Sequence, residues 1–164
     1  KYGIIHADLK PENIVLNKNK DKIVIIDFGS SFFNEKSFDN PNFYMVSRWY
    51  RAPEIIFENP DFKSIDVWSL GCIIYEMITK KPLFNGKDSN DQILKIINVI
   101  GSPDKDFLQE NKFKKYLEKF NGIEATNNYK LLTESLKLNK ILKGIFKWDI
   151  GSRISLKEMF QILK

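Results

Sequence analysis

Two short runs of mostly β-branched residues, Ile14-Val15-Leu16 and Ile23-Val24-Ile25-Ile26, flank the polar stretch Asn17-Lys18-Asn19-Lys20-Asp21-Lys22. Apolar runs of that length around a polar connection predict a β-hairpin. Ser64 to Thr79, ending before Pro82, is apolar nearly all round apart from Asp66, Ser69 and Glu76, which predicts a buried helix. From Asp88 to Ile100 the residues Ile93, Ile96, Ile97 and Ile100 share one helical face, with Gly101 and Pro103 as stop signals. Leu136 to Phe146 reads as a further helix, and Ser155-Leu156-Lys157-Glu158 is a capping box opening a last one that runs into Lys164. Residues from about 102 to 135 are rich in Lys, Asn and Phe and weakly periodic, and are expected to form a loosely ordered surface elaboration. The pattern as a whole is mainly α with one small β-hairpin.

The 164 residues fit one domain, and 43% hydrophobic residues can supply its core. The first residue is Lys1, and neither a signal peptide nor an apolar run long enough to span a membrane is visible. One cysteine, Cys72, excludes an internal disulfide and fits a reducing compartment, cytoplasmic or nuclear; its apolar helical setting suggests an inert core thiol. The net charge of +5 raises the question of nucleic acid. The basic residues are scattered and no aromatic-interleaved basic stripe occurs, so a solvated lysine surface is the better account and no nucleic-acid partner is expected. Arginine is more telling, since only Arg48, Arg51 and Arg153 interrupt this lysine bias. Guanidinium is a rigid fork that pairs bidentately with carboxylate or phosphate, which lysine does not copy.

The chemistry is concentrated near the start. His6-Ala7-Asp8-Leu9-Lys10-Pro11-Glu12-Asn13 is followed by Asp27-Phe28-Gly29, and then by Ala52-Pro53-Glu54 and Arg153. Asn13 precedes the first hairpin strand and Asp27 follows the second, so antiparallel pairing brings them side by side. Alone, Asp27-Phe28-Gly29 would read as an ordinary turn. In this order and spacing the motifs resemble those of protein kinases, H-R-D-x-x-x-x-N and then D-F-G, with Ala7 where arginine is usual. The resemblance covers almost the whole chain.

By that resemblance, Asp8 is the catalytic base for a substrate hydroxyl, and Lys10 neutralises charge on the transferring phosphoryl group. Asn13 and Asp27 are expected to hold Mg2+, a hard cation that prefers oxygen ligands. Val15 and Ile26 would floor the adenine of ATP. Lys10 favours serine/threonine over tyrosine specificity. His6 is expected to be a structural hydrogen-bonder, Asp66 to accept backbone N–H groups of the loop around His6, and Glu54 to pair with Arg153. None of the eight glycines forms the G-x-G-x-x-G loop of the family, and the chain opens five residues before His6. The resemblance therefore implies a C-terminal lobe spanning residues 1–164, with the N-terminal lobe missing from it.

Residues 27–54 correspond to an activation segment, and Tyr44-Met45-Val46-Ser47-Arg48-Trp49-Tyr50-Arg51-Ala52-Pro53-Glu54 resembles the CMGC group. Tyr44 takes the position of its activation tyrosine, where Arg48 and Arg51 could grip a phosphate; the alternative is a tyrosine packed beneath the loop. Residues 102–135 match the CMGC insert. The string Ile26-Asp27-Phe28-Gly29-Ser30-Ser31 looks most like the dual-specificity tyrosine-regulated kinases and His6 to Asn13 like the homeodomain-interacting protein kinases, both of which lack the arginine replaced here by Ala7, whereas Trp49 looks like the mitogen-activated kinases. The expectation is a kinase that modifies protein Ser/Thr hydroxyls, in part before proline, and is inactive as this piece alone. The alternative is a non-catalytic pseudokinase or interaction fragment.

Overall fold

The computed structural model describes residues 3–33, 47–57, 62–103, 117–120, 122–127 and 135–164. Tyr44, with the rest of residues 34–46, and much of the 102–135 stretch lie outside the described residues.

The predicted hairpin forms from β2 (Ile14–Leu16) and β3 (Ile23–Ile25), with Ile14 opposite Ile25 and Leu16 opposite Ile23. Asn17 closes its turn. Its N–H donates to the Lys22 carbonyl at 2.9 Å, and its side-chain oxygen accepts the N–H groups of Asp21 and Lys22, both at 3.1 Å. That is the local hydrogen bonding for which asparagine is favoured in turns. A second antiparallel pair joins β1 (Ile4–Ile5) to β4 (Phe32–Phe33), flanking the hairpin in sequence. Two-residue strands carry too little alternation to be read beforehand.

The helices follow the apolar periodicity. After the short α1 (Pro53–Ile56) come α2 (Ile65–Thr79), α3 (Ser89–Ile100), α4 (Leu136–Ile145) and α5 (Leu156–Leu163). Each boundary has a chemical cause. Asp88 accepts the Asp91 N–H at 2.9 Å ahead of α3, and Ser155 and Glu158 form the reciprocal capping box of α5. Lys80, at a left-handed φ of 60°, ends α2 by donating its N–H to the Glu76 carbonyl at 2.8 Å.

The N-terminal half of α2 runs through the core. Trp68, fully buried, stacks on Phe84 at 5.6 Å and meets Phe146 edge-on at 5.1 Å, while Phe84 and Phe146 complete the triangle. Gly71 permits the close approach of α2 to α4, since a Cβ there would lie 2.7 Å from the Ile145 side chain. Cys72 is buried beside it, and burial, with the nearby Glu76 carboxylate, pushes its thiol pKa far up, away from nucleophilic character. Two expectations need correction. Burial of α2 does not extend along its whole length: from Ile74 onward it is partly exposed and Met77 faces solvent, with no described element over that face. The 102–135 stretch is not merely surface elaboration either. Leu117 is fully buried, and the N–H groups of Thr126 and Asn127 donate to the carbonyls of Asn98 and Val99 at 3.2 and 2.9 Å, pinning it to the end of α3.

Glu54 and Arg153 pair as expected, 99 residues apart in sequence. The contact is bidentate, Nη1 to Oε1 and Nη2 to Oε2, the latter at 2.6 Å, and both residues are buried. Arg153 Nε also donates to the Lys147 carbonyl at 3.0 Å, its Nη1 to Ser64 Oγ at 3.2 Å, and its guanidinium lies 4.9 Å from the Trp68 ring centroid. Such a pair contributes little net stability as a pair, yet removing one partner strands the other charge in the core. Replacing either residue alone by alanine should therefore cost about 3–5 kcal/mol of unfolding free energy in denaturant titrations. A loss below about 1 kcal/mol, the range of an exposed pair, would contradict the burial of this contact.

Candidate active site

The loop from His6 to Asn13 hangs from α2. Asp66, in the first turn of that helix, accepts the His6 N–H on Oδ2 at 2.7 Å and the Ala7 N–H on Oδ1 at 3.0 Å. Burial raises the Asp66 pKa, and the two N–H donors oppose that rise without overcoming it. The grip holds Ala7 at a left-handed φ of 66°, a conformation that costs a non-glycine residue about 1 kcal/mol or more. His6 Nδ1 accepts the Asp8 N–H at 3.3 Å, which assigns the ring proton to Nε2, 3.0 Å from the Ile26 carbonyl. With both nitrogens engaged and the ring buried against Phe28 at 4.9 Å, His6 is the structural hydrogen-bonder expected of it.

Three residues converge on Asp8. Lys10 Nζ donates to Asp8 Oδ2 at 2.7 Å, and the Ser47 N–H donates to Oδ1 at 3.0 Å. Asn13 Nδ2 donates to the Asp8 carbonyl at 2.8 Å and lies 3.4 Å from Oδ2. Lys10 Nζ also reaches Ser47 Oγ at 3.0 Å, so Ser47 contacts both presumed catalytic residues. Burial alone would push the Asp8 carboxyl up, but the Lys10 and Ser47 hydrogen bonds and the Lys10 charge together hold its pKa below the ordinary carboxylate value. Ser47 is the site residue that sequence reasoning missed. Its contact with Asp8 spans 39 positions, and nothing local distinguishes it from neighbouring polar residues.

The hairpin aligns the two presumed cation ligands. The Ile26 N–H donates to the Asn13 carbonyl at 3.0 Å, extending the β2–β3 ladder by one step so that Asp27 follows directly beside Asn13. Because Asn13 Nδ2 is committed to Asp8, its Oδ1 is the atom left to meet a cation. Asp27 is exposed, sits at a left-handed φ of 63°, and its Oδ1 takes only the distant Gly29 N–H at 3.4 Å. Among the described residues no three His, Cys, Asp or Glu side chains converge into a cage for a metal. One carboxylate and one amide oxygen instead fit Mg2+, which keeps waters and shares phosphate oxygens. Val15 and Ile26 are 37% and 40% exposed, apolar surface open to a flat base.

In the other half of the site, Arg48 Nη1 donates to the Lys87 carbonyl at 2.6 Å, and Arg51 is buried. Trp49 Nε1 donates to the Gly86 carbonyl at 3.1 Å, and the Tyr50 hydroxyl donates to Glu76 at 2.6 Å. Residues 48–51 are thereby fastened between α2 and the approach to α3. Tyr44, the expected phosphate acceptor, falls outside the described residues.

Replacing Lys10 by methionine keeps the apolar stem but removes a hydrogen bond and a cation from Asp8, so the Asp8 pKa should rise. The sign for stability follows from linkage. With its folded pKa below the unfolded value of about 3.9, Asp8 contributes stability above that pH and loses it as pH falls through the folded pKa. The Lys10→Met protein should show a smaller acid-dependent loss from this group. Carboxyl-carbon NMR titration measures both proteins directly; an unmoved Asp8 midpoint would remove Lys10 as the cause.

Comparison with known proteins agrees with this geometry. Residues 1–162 match the family described as the protein kinase domain. The chain is 38% identical over 176 aligned residues to the probable serine/threonine-protein kinase dyrk2 of Dictyostelium discoideum, an alignment covering 96% of this chain and 19% of that protein. It is 37% identical over 161 residues to mitogen-activated protein kinase 12 of Danio rerio, covering 95% and 43% of the two chains. With the probable dual specificity protein kinase YAK1 homolog of Encephalitozoon cuniculi, identity is 48% over 122 residues, 73% of this chain and 29% of the relative. The chain thus spans less than half the length of these relatives. The family match over nearly every residue, and relatives of the dual-specificity tyrosine-regulated and mitogen-activated kinds, make this chain a member of the protein kinase domain family, within its CMGC group.

Proposed function

We propose that this chain is the C-terminal-lobe portion of a serine/threonine kinase. In a longer protein it would transfer the γ-phosphoryl group of ATP to Ser/Thr hydroxyls of protein substrates, a share of them followed by proline. The observation that carries the reading is the Asp8 carboxylate, held at 2.7 Å by Lys10 and at 3.0 Å by the Ser47 N–H beside Asn13. When bound, Mg-ATP supplies the electrophilic phosphorus and a cation that draws charge from the leaving oxygens. Asp8 orients the substrate hydroxyl and takes its proton on a carboxylate oxygen; Lys10 and Ser47 keep that carboxylate ionised and aimed. Asn13 and Asp27 would hold the cation, and Val15 and Ile26 would receive the base. Little covalent work falls to the protein, so fixing these groups in place is most of its contribution.

Apolar exposure supports a missing N-terminal lobe. Leu16, Ile23, Val24 and Ile25 are all exposed on the hairpin, an apolar surface in need of cover. We further propose that phosphate on Tyr44 engages Arg48 and Arg51.

In the longer protein, Asp8→Asn should lower phosphoryl transfer by about 10²–10⁴-fold, the contribution of a positioned base, while circular dichroism and melting stay unchanged. Near-normal transfer would take Asp8 out of its role. The isolated 164 residues should show almost no Asp8-dependent transfer, because half of the nucleotide cleft lies outside them. Robust activity from them would refute the lobe assignment.

The Tyr44 proposal has its own measurement. Mass spectrometry of the longer protein should find phosphate on Tyr44, and Tyr44→Phe should depress its activity. Unaltered activity in that variant would rule out the switch.

A further inference from the structure

The amide of Gln92 is a polar group where the core would accept an apolar one. Gln92 lies in the first turn of α3 and is 0% exposed, next to Ile93. A buried carboxamide is costly unless its atoms are paired, and the pairing here is specific. Gln92 Oε1 accepts the Gly86 N–H at 2.9 Å, and Gln92 Nε2 donates to the Trp49 carbonyl at 3.4 Å. The Trp49 indole N–H donates to the Gly86 carbonyl at 3.1 Å, which closes a ring of three hydrogen bonds through Gln92, Gly86 and Trp49. A Cβ on residue 86 would lie 2.5 Å from Gln92 Oε1 and 2.6 Å from its backbone N and Cα, so the ring requires glycine there.

The ring lies two residues from the catalytic centre. Arg48, beside Trp49, donates to the Lys87 carbonyl, so two consecutive loop residues grip two consecutive residues before α3. Ser47 precedes Arg48, and its N–H and hydroxyl contact Asp8 and Lys10. Backbone joins Ser47 to Trp49 across one residue, leaving little freedom for either to move without the other. We propose that Gln92 is a positioning residue for the phosphoryl-transfer site: through the Gln92–Gly86–Trp49 ring it fixes Ser47, and hence the orientation of the Asp8 carboxylate. The words "phosphoryl-transfer site" rest on the kinase reading above; the mechanical link from Gln92 to Ser47 does not.

The test measures that link first. In the 164-residue chain, Gln92→Leu removes both polar atoms at similar volume. Trp49→Phe removes the indole N–H, with one ring of a side chain that is 44% exposed and so tolerant of change. Hydrogen exchange followed by NMR should show the Ser47 amide exchanging at least about tenfold faster in both variants, while the Trp68 amide, bonded to the Ser64 carbonyl inside α2, keeps its protection. Gln92→Glu, which retains the acceptor for Gly86, should restore part of the Ser47 protection. Unchanged Ser47 exchange, or Ser47 and Trp68 losing protection in parallel, would overturn the proposal; the parallel loss is what a merely structural glutamine produces. Should Gln92→Leu fail to fold, Trp49→Phe decides alone. In the longer protein both variants should lower kcat without raising the KM for ATP. Faster Ser47 exchange with unaltered phosphoryl transfer would also overturn the positioning role, whereas no transfer from the unsubstituted longer protein would count against the kinase reading instead.

Discussion

Everything at the site is suspended from one carboxylate. Asp66 meets the N–H groups of His6 and Ala7 from the first turn of α2, and by doing so converts a packing element into a template for a loop. The helix is fixed by Trp68, Gly71 and Cys72 in the core, and Asp66 transmits that rigidity to a backbone that buries little apolar surface of its own. A loop held only by its side chains could rotate about Ala7, where the left-handed φ of 66° is unfavourable. Two hydrogen bonds to a charged acceptor, worth about 1.5–3 kcal/mol each, exceed that penalty. Strain at Ala7 is thus sustained from outside the loop.

Two of the three arginines show how far residue choice reflects geometry. Arg153 uses its whole fork, pairing both Nη atoms with Glu54 while Nε reaches the Lys147 carbonyl, and no lysine could make those contacts together. Arg48 makes a single contact to a backbone carbonyl, which an ammonium could also make, so its guanidinium is not explained by that bond. The difference matters because Arg153 locks α1 against the core, whereas Arg48 lies at the surface of a segment that leads back to Tyr44. One arginine completes the scaffold, and the other leaves donor capacity facing outward.

Much of this was legible in the sequence, and the parts that were not share a cause. The hairpin, α3 and the capped start of α5 were readable because their signals are local: β-branched runs, isoleucines spaced by one helical turn, and Ser155 three residues before Glu158. Asp8, Lys10 and Asn13 were readable because they share eight consecutive positions. Ser47 and Gln92 were not, since their roles exist only through contacts with residues dozens of positions away. The β1–β4 pair was missed for lack of length, and the burial of Leu117 because its surroundings look polar and aperiodic. The partial exposure of α2 arose differently. An all-round apolar helix implies cover on every side, and the described residues supply it only for the N-terminal half.

Two of the left-handed backbone positions complete the physical picture. Ala7 and Asp27 both occupy the left-handed region without being glycine, and they flank in sequence the hairpin that Asn13 opens. Ala7 is restrained by Asp66, but Asp27 has only a 3.4 Å contact to Gly29 and solvent around it. The cluster of Asp8 with Lys10 and Ser47 is therefore organised in this chain by itself. The half proposed to hold a cation is organised only as far as Asn13. Asp27 is instead an exposed carboxylate in a strained conformation, beside the apolar surface of Val15 and Ile26. Preorganisation ends where the described residues stop covering the hairpin.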